Sequence, residues 1–448
     1  MNLFFADETV FTPFPTRLYA RPIEWIADEY LLFDAVDAAE FDAFLEASDS
    51  RFTAPTWFQR IEHARIYAVE VDALSEPVGL PQDWLRSHPP ADLPEWAELR
   101  LQAASFGDGV ADVFANINGP SIRASLTVEA VSLKVATALR KATDLAPYVE
   151  RQIDIANALP SSPIDQVFVL DVGQGSGNAL ISGGQVLAYV DLGAGVLKNT
   201  GTWPSAFSGL CVRHTPTVIL SHWHYDHFHG ANKFRKGGVF PAHGQTWIAP
   251  FQTLGPGAQS AMAGNIAASG KLMIWNGSGA LSHGNLMLER CNGPTKGMNR
   301  DGIAVWIDEP NGKDPILLPA DAGYNDMPRL VGGQSLTAFT VSHHGGRTTG
   351  NPPGPPASYR RVALSYGNGN THKHPNAISI SGLSRRGWSV SSPPSPVVDE
   401  RRTEDRRSRP GGTSSNGKVG LGHIKLDWAA GSSPAHSCPC GCTLDPTQ

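Results

Sequence analysis

One short stretch of the chain concentrates side chains that bind metal ions. An apolar run, Val218–Leu220, predicts a buried strand. Four candidate ligands follow it directly, namely His222, His224, Asp226 and His227. Residues two apart diverge on a helix, so this spacing favours a tight loop that directs His222 and His224 at one ion and the later pair at a neighbouring one. Imidazole and carboxylate suit zinc, manganese or iron. The alternative is a polar loop whose histidines cap strands or face solvent.

The same stretch has the pattern HxHxDH, and it resembles the signature of the metallo-β-lactamase fold superfamily. A second segment, Asp171–Gly175, is DVGQG and is followed by predicted strands. That opening resembles the ComEC/Rec2-like metallohydrolase branch of the superfamily. The resemblance covers about residues 165–392. It implies an α/β fold, the αββα metallo-β-lactamase sandwich, with one or two divalent ions, zinc or manganese, at the edge of its sheets.

The resemblance also implies supporting roles for residues outside this stretch. Asp191 ends a predicted strand and is expected to orient a metal-binding loop, since ligand imidazoles need a partner for their second nitrogen. An aspartate that only caps a turn is the alternative. Asp171 and Asn299 are expected to support the ligands as well. Asn299 stands where the ordinary superfamily has a third histidine, so the first metal site would be one imidazole short.

A later carboxylate, Asp321, ends another predicted strand, and the resemblance implies that it bridges two ions. The first site would then consist of His222, His224 and Asp321. The second would consist of Asp226, His227, Asp321 and one of the two residues His343 and His344. We favour His343 as that ligand because it comes first after a predicted strand. His344 is then assigned to substrate binding or proton transfer.

A final motif, Ser365–Pro375, resembles the S-x-G-x-x-N-x-x-x-HP turn of the same branch. Pro375 suits the first position of a helix, and a helix N-terminus favours anions. His374 is therefore a candidate for contacting a phosphate or a carboxylate, with a simple capping role as the alternative. The expected catalytic residues are Asp226, His344 and His374. Either of these histidines could act as the general acid, because imidazole titrates near neutrality.

Composition and proline-rich breaks divide the sequence into predicted domains. The 448 residues are 41% hydrophobic and 17% charged, as in an ordinary globular protein with two or three domains. We predict an N-terminal mixed α+β domain of unknown role over 1–160, the catalytic domain over 161–430 and a flexible cysteine-containing tail over 431–448. Within the first domain, Asp34–Glu46 predicts an acidic amphipathic helix and Ala64–Val71 predicts a strand.

Several sequence features bear on location. No apolar run approaches the roughly 18 residues that span a bilayer. The acidic start, Met1–Glu8, lacks the basic region of a secretory signal. Five cysteines, three of them crowded near the end, provide no disulfide framework. We therefore expect a cytoplasmic protein that does not associate with membranes.

The net charge of −6 conceals an asymmetry between the two halves. Residues 1–160 carry 12 Lys and Arg against 25 Asp and Glu, whereas residues 161–448 carry 24 against 17. The basic half holds the metal motif, so an anionic substrate, possibly nucleic acid, is one interpretation. The other is that the acidic N-terminal domain docks on the basic half or on a protein partner.

These residues together predict a metal-dependent hydrolase that uses a metal-activated water. A phosphodiesterase or nuclease acting on DNA or RNA is the first hypothesis, from the resemblance and the basic charge. Hydrolysis of a small ester, lactone or amide is the second. A binding or regulatory protein with a vestigial metal site is the third. Metal content and a nuclease assay discriminate among them.

Overall fold

The chain forms two compact units in the computed structural model, Met1–Tyr148 with Gln252–Ala268, and Val149–Phe251 with Ser269–Gln448. The described residues are 2–6, 13–26, 30–48, 52–72, 94–104, 109–205, 207, 209–293, 297–309, 312, 314–355, 361–388, 410–412 and 423–428. The tail predicted over 431–448 lies outside them. Strands and helices are mixed throughout the described residues, in agreement with an α/β class. No helix among them is long and apolar enough to cross a membrane.

Helices and strands are numbered in chain order. The α-helices are α1 (Ala38–Ser48), α2 (Ala54–Arg60), α3 (Leu133–Ala142), α4 (Gln152–Ala158), α5 (Tyr225–Phe228), α6 (Ala258–Ser269), α7 (Pro328–Val331) and α8 (Ala377–Arg385). The strands are β1 (Arg17–Ile26), β2 (Tyr30–Asp37), β3 (Ile66–Asp72), β4 (Ala97–Ala103), β5 (Ala111–Phe114), β6 (Ser121–Ala130), β7 (Gln166–Val169), β8 (Gly177–Ser182), β9 (Gln185–Leu192), β10 (Thr217–Ile219), β11 (Thr246–Pro250), β12 (Lys271–Trp275), β13 (Ala280–His283), β14 (Leu286–Arg290), β15 (Ile303–Ile307), β16 (Ile316–Leu318), β17 (Ala338–Thr340), β18 (Arg361–Leu364), β19 (Pro410–Gly412) and β20 (Ile424–Leu426).

The first unit contains a closed antiparallel barrel with strand order β1-β2-β3-β5-β6-β4. In strand β4, buried side chains alternate with more exposed ones. Ala97, Leu99 and Leu101 are buried, whereas Arg100 is exposed. A period of two places one set of side chains inside the barrel and the other outside.

The sequence predictions for this unit are met in part. The strand predicted over Ala64–Val71 is confirmed by β3. The helix predicted over Asp34–Glu46 is wrong at its start, because β2 continues to Asp37 and α1 begins at Ala38. Phe33 and Ala35 are fully buried in the barrel core, so burial at a period of two overrides the helical pattern there.

Asp34, between those two core residues, attaches a distant segment to the first unit. Its carboxylate accepts hydrogen bonds from the backbone N–H groups of Gly257 (2.8 Å) and Ala258 (2.6 Å) at the start of α6. A carboxylate at this position satisfies donors that the helix leaves unpaired and complements the helix dipole. This contact helps explain why Gln252–Ala268 belongs to the first unit, although it lies within the predicted catalytic domain.

Two seven-stranded sheets form the second unit. The first sheet has the order β12-β11-β10-β9-β8-β7-β20, and the second has the order β13-β14-β15-β16-β17-β18-β19. One buried cluster contains residues of both, including Val190 and Ile219 from the first sheet and Val305 and Ile316 from the second. The sheets therefore pack face to face around a shared apolar core. Helix α8 covers the outer face of the second sheet with Ile380 and Leu383.

Parallel strands bring the predicted ligands to the ends of the sheets. Strands β9 to β12 are parallel in the first sheet, and β16 to β18 are parallel in the second. The HxHxDH stretch follows β10, Asp321 follows β16, and the His343–His344 turn follows β17. Carboxyl ends of parallel strands share one sheet edge, which is where α/β sheets bind their ligands.

The helix before the predicted boundary at residue 160 belongs to the second unit. Ile155 of α4 and Leu159 after it are buried in the core between the two sheets. Val149 also forms a parallel bridge with Ile274, next to α4. The contacts therefore divide the chain after Tyr148, where the sequence shows no break, rather than at the proline-rich segment around residue 160.

Candidate metal centre

The HxHxDH stretch forms a turn and one short helix at the end of β10. His222 and His224 lie in the turn, with ring centroids 4.6 Å apart, and both are buried. Helix α5 begins directly afterwards and carries Asp226 and His227. The turn and the helix after it bring all four side chains of the motif into the same region. The spacing predicts this, because residues two apart on a regular helix would diverge.

A first group combines His222 and His224 with Asp321. One potential ligand atom from each residue lies within 4.8 Å of the others, and Nε2 of His222 is 3.9 Å from Oδ2 of Asp321. Burial lowers the pKa of His222 well below its usual value, and His227 and His224 lower it further. A neutral imidazole keeps the lone pair that a metal ligand needs.

A second group combines Asp226, His227 and His344. Nε2 of His344 is 3.2 Å from Oδ2 of Asp226, and Nε2 of His227 is 3.9 Å from Oδ1 of the same carboxylate. The Asp226 side chain is 22% exposed, whereas those of His227 and His344 are at most 3% exposed. The centre therefore opens to solvent beside Asp226.

Asp321 lies between the two groups and divides its oxygens between them. Oδ1 is 3.3 Å from Nε2 of His227 and 3.7 Å from Nε2 of His344. Oδ2 faces His222 and is also 3.7 Å from Nε2 of His343. Burial alone would raise the pKa of Asp321, but His227 and its neighbouring histidines hold it well below the usual range. An ionised carboxylate in this position has the arrangement expected of a bridging ligand.

The geometry corrects the choice between His343 and His344. Both residues have positive φ angles, 52° and 54°, and Gly345 continues the turn at 79°. His344 binds the carbonyl oxygen of Ser365 through Nδ1 (2.9 Å), and its Nε2 faces Asp226. Nδ1 of His343 lies 3.2 Å from the carbonyl oxygen of Arg347 instead. His344 thus completes the second group, because the left-handed turn reverses the order expected from the strand.

Asp191 holds the turn of the HxHxDH stretch in place. Its carboxylate accepts hydrogen bonds from the backbone N–H of Ser221 (2.7 Å), the Ser221 hydroxyl (2.9 Å) and Nδ1 of His227 (2.8 Å). Nε2 of His227 is thereby left facing the centre. Burial would lower the pKa of His227, yet Asp321, Asp191 and Asp226 together raise it well above its usual value. These three carboxylates favour a positive charge in the centre.

Close backbone packing supports the same turn from behind. The backbone N–H of Ser176, next to the DVGQG segment, donates to the carbonyl oxygen of Asp226 (3.0 Å). A Cβ atom on Gly193 would lie 1.8 Å from that carbonyl oxygen, and one on Gly230 would lie 2.3 Å from the carbonyl oxygen of Gly193. Any side chain at these positions would push α5 away, so the glycines fix where Asp226 stands.

Asp171 and Asn299 occupy different settings. Asp171 is buried, and its backbone N–H donates to Nδ1 of His423 (2.8 Å). Asn299 lies in a short 3-10 helix, Met298–Asp301, that leads into β15. Its Oδ1 is buried and accepts no hydrogen bond from any described residue. The supporting role of Asp171 stays a prediction, whereas the unused oxygen of Asn299 is available to a cation.

His374 lies beside the second group but outside both. Burial lowers its pKa to about 2, with His343 and His344 adding to the effect, so the ring is neutral near pH 7. This argues against the predicted general-acid role, which needs an imidazolium that releases its proton readily. The following helix also differs from the prediction. It begins at Ala377 rather than Pro375, and the side chain of Asn376, its N-cap, accepts from the N–H of Ile378 (2.8 Å).

Sequence reasoning missed two residues that position the candidate ligands, Ser221 and Ser365, and one that contacts His374, namely Gln174. Ser221 links Asp191 to both His222 and His227 through its hydroxyl. Ser365 fixes His344, and Gln174 contacts Nδ1 of His374 (3.1 Å). A serine directly before the first histidine of the motif was the one available signal. The others depend on contacts between residues that are distant in the sequence.

The donor atoms fit divalent metal ions. Nε2 of His222, His227 and His344 is buried in each case and makes no hydrogen bond to any residue that the structure describes. Buried nitrogens without a hydrogen bond are costly unless a partner occupies the space between them. The comparisons with known proteins add nothing to this chemistry, because no family model matches the chain and no curated protein matches it either.

Replacing Asp191 with asparagine tests the support of His227. The new NH₂ group would face the Nδ1–H of His227, so the ring is expected to change tautomer and lose its ligand lone pair. We expect metal affinity to fall by about 10- to 100-fold, as for other partners of ligand histidines. Competition against a chromophoric chelator measures it. Asp165→Asn, which alters an exposed turn contact with Gly183, should leave affinity unchanged, and equal affinities in the two variants would contradict this role.

Proposed function

We propose that this chain is a metal-dependent hydrolase of the metallo-β-lactamase fold, and that it cleaves phosphodiester bonds in DNA or RNA. One observation carries the proposal. Six imidazole and carboxylate groups from separate segments converge at the sheet ends, and three of their buried imidazole nitrogens make no hydrogen bond to any described residue. The groups are His222, His224, Asp226, His227, Asp321 and His344.

The arrangement of the sheets supports the fold in this proposal. Two sheets share one core, α8 covers the outer face of the second sheet, and the candidate ligands follow β10, β16 and β17. An αββα sandwich with its centre at the sheet edge requires this placement. The DVGQG segment and the Asp191 strand end also lie where they support α5 and the metal-binding turn.

Two divalent ions, zinc or manganese, suit the centre. His222, His224 and Asp321 would hold one, and Asp226, His227 and His344 would hold the other, with Asp321 shared. Ions at such a pair of sites supply Lewis acidity and acidify water for attack on a phosphoryl or carbonyl group. The protein keeps two of these donors in a fixed orientation. Asp191 binds Nδ1 of His227, and the carbonyl oxygen of Ser365 binds Nδ1 of His344.

The charge along the chain favours an anionic substrate. Residues 327–398 contain seven Lys and Arg and no Asp or Glu, and residues 192–288 contain six Lys and Arg with Asp226 as their one acid. Arg347, just after the His343–His344 turn, and Lys373, just before His374, are both exposed. Phosphodiesters carry one negative charge per linkage, so segments that are rich in Lys and Arg and poor in Asp and Glu suit them.

A cleavage assay tests the proposal. Purified protein is incubated with plasmid, single-stranded DNA and RNA, with added manganese or zinc. We expect cleavage by the wild type and a loss of more than about 100-fold in Asp226→Ala, since removing a ligand should cost at least as much as removing a ligand's partner. Asp154→Ala is the control, because Asp154 on α4 pairs with the exposed Arg151 just before that helix.

The other outcomes separate the remaining functions. Hydrolysis of generic esters or lactones, with nucleic acids left intact, would assign a small-molecule substrate. Failure to hydrolyse any substrate, together with no bound metal after reconstitution, would indicate a binding protein and reject the proposal.

A further inference from the structure

His374 is an imidazole that lies beside the candidate centre and belongs to neither ligand group. Its ring is nearly parallel to that of His344, at 16° with centroids 6.2 Å apart, and lies 5.5 Å from that of His343. The residue is 8% exposed. A histidine in this position lies within reach of a substrate bound at the second group without being needed to hold an ion.

Gln174, the glutamine of the DVGQG segment, determines which nitrogen of His374 carries the proton. Oε1 of Gln174 accepts from the backbone N–H of Gly367 (3.3 Å), and a backbone N–H can only donate. The NH₂ end of the amide therefore points at Nδ1 of His374, 3.1 Å away. Nδ1 must accept that hydrogen bond, so a neutral ring carries its proton on Nε2.

The surroundings hold this ring in one orientation. Asn370 binds the backbone of His374 twice, accepting from its N–H (2.9 Å) and donating to its carbonyl oxygen (2.7 Å). A Cβ atom on Gly346 would lie 2.7 Å from Nε2 of His374, so only glycine leaves room for that edge of the ring. Nε2 makes no hydrogen bond to any residue within the described ranges. Its N–H therefore has no acceptor among the described residues and lies next to the His343–His344 turn.

We propose that Gln174 is a positioning residue that fixes His374 as a neutral Nε2–H donor to an oxygen of the substrate phosphate. The inference rests on the proposed function for its substrate, but not for its geometry. In this role His374 donates a hydrogen bond to the substrate instead of transferring a proton to it. The glutamine of DVGQG acts by holding the ring in the required tautomer. A donor held in advance costs no reorganisation when negative charge develops on the phosphate.

Two nearly isosteric variants of Gln174 separate this role from simple packing. In Gln174→Glu the carboxylate accepts from Nδ1–H, so a ring that stays neutral has its lone pair on Nε2 and loses the donor. Gln174→Met removes the same hydrogen bond but leaves both tautomers accessible. With bis(4-nitrophenyl) phosphate as the probe, we expect kcat/KM to fall about 10- to 100-fold in the Glu variant and less in the Met variant. Metal content should stay unchanged in both.

A second variant and a direct measurement complete the test. His374→Phe should lose as much as Gln174→Glu, and the double variant should lose no more than either. Long-range proton–nitrogen NMR of histidine-labelled protein should show His374 protonated on Nε2 in the wild type and on Nδ1 in Gln174→Glu. Loss of metal in His374→Phe, additive losses, or a larger loss in the Met variant would overturn the proposal.

The NMR readout also separates this inference from the proposed function. An inactive wild type whose His374 is protonated on Nε2 would reject the phosphodiester substrate, and with it the donor role toward phosphate, but would uphold the positioning by Gln174. A wild type protonated on Nδ1 would overturn the inference whatever its activity.

Discussion

Asp321→Asn is expected to empty both ligand groups of metal and to lower phosphodiester cleavage by more than about 100-fold. The reason is that the two carboxylate oxygens of Asp321 face different ligand groups. Oδ1 lies 3.3 Å from Nε2 of His227, whereas Oδ2 faces His222 of the first group. An asparagine keeps the volume but removes the charge, and a neutral amide cannot balance two cations. Metal per mole of protein, measured by elemental analysis after reconstitution and desalting, should fall at both positions.

A surface substitution of the same kind is the control. Asp308 pairs with Arg329 and its side chain is 47% exposed, so Asp308→Asn should keep both metal and activity. Loss of a single ion in Asp321→Asn, with the other retained at wild-type affinity, would show that Asp321 belongs to one group and would reject its bridging role.

The largest contrast between neighbouring residues is expected at His343 and His344. His344→Ala should lose the ion of the second group and most activity, because its Nε2 lies 3.2 Å from Asp226 and its other nitrogen is fixed by Ser365. His343→Ala should keep both ions, since His343 lies outside both groups. Both residues have positive φ, so the backbone strain at the substituted position is similar in the two variants. A difference between the variants therefore reports on the imidazole that each one lacks.

Metal stoichiometry and cleavage rate, measured in parallel on both variants, decide whether His343 or His344 is the ligand of the second group. The reverse result, with metal lost only in His343→Ala, would restore the assignment made from the sequence. Equal losses in both would mean that the turn, rather than one imidazole, determines binding.

The local part of the candidate site could be predicted from the sequence. The ligands His222, His224, Asp226 and His227 are close in the chain, and an apolar run before them predicts the strand that ends there. Asp321 is added through the resemblance to the ComEC/Rec2-like branch, and its place at the end of a strand agrees with that assignment, because parallel strands share one sheet edge. These predictions rely on periodicity and on strand direction, which short segments encode.

The features that could not be predicted from the sequence depend on backbone turns or on contacts between distant residues. Nothing local shows that His343 and His344 both adopt left-handed conformations, which decides which ring reaches Asp226. The capping of α6 by Asp34 joins residues more than 220 positions apart. Gln174 likewise meets His374 across 200 positions. Hydrogen bonds of this range form only once the fold is complete, so no spacing rule reveals them.

Metal stoichiometry of the wild-type protein is the most direct test of the central claim. Protein stripped with a chelator, reconstituted with zinc or manganese and desalted should retain two ions per chain, and Asp321→Asn should retain none. Elemental analysis gives both numbers without any assumption about substrate. A wild type that retains no more metal than Asp321→Asn would contradict the account, because its buried imidazoles and carboxylates would then serve the fold alone.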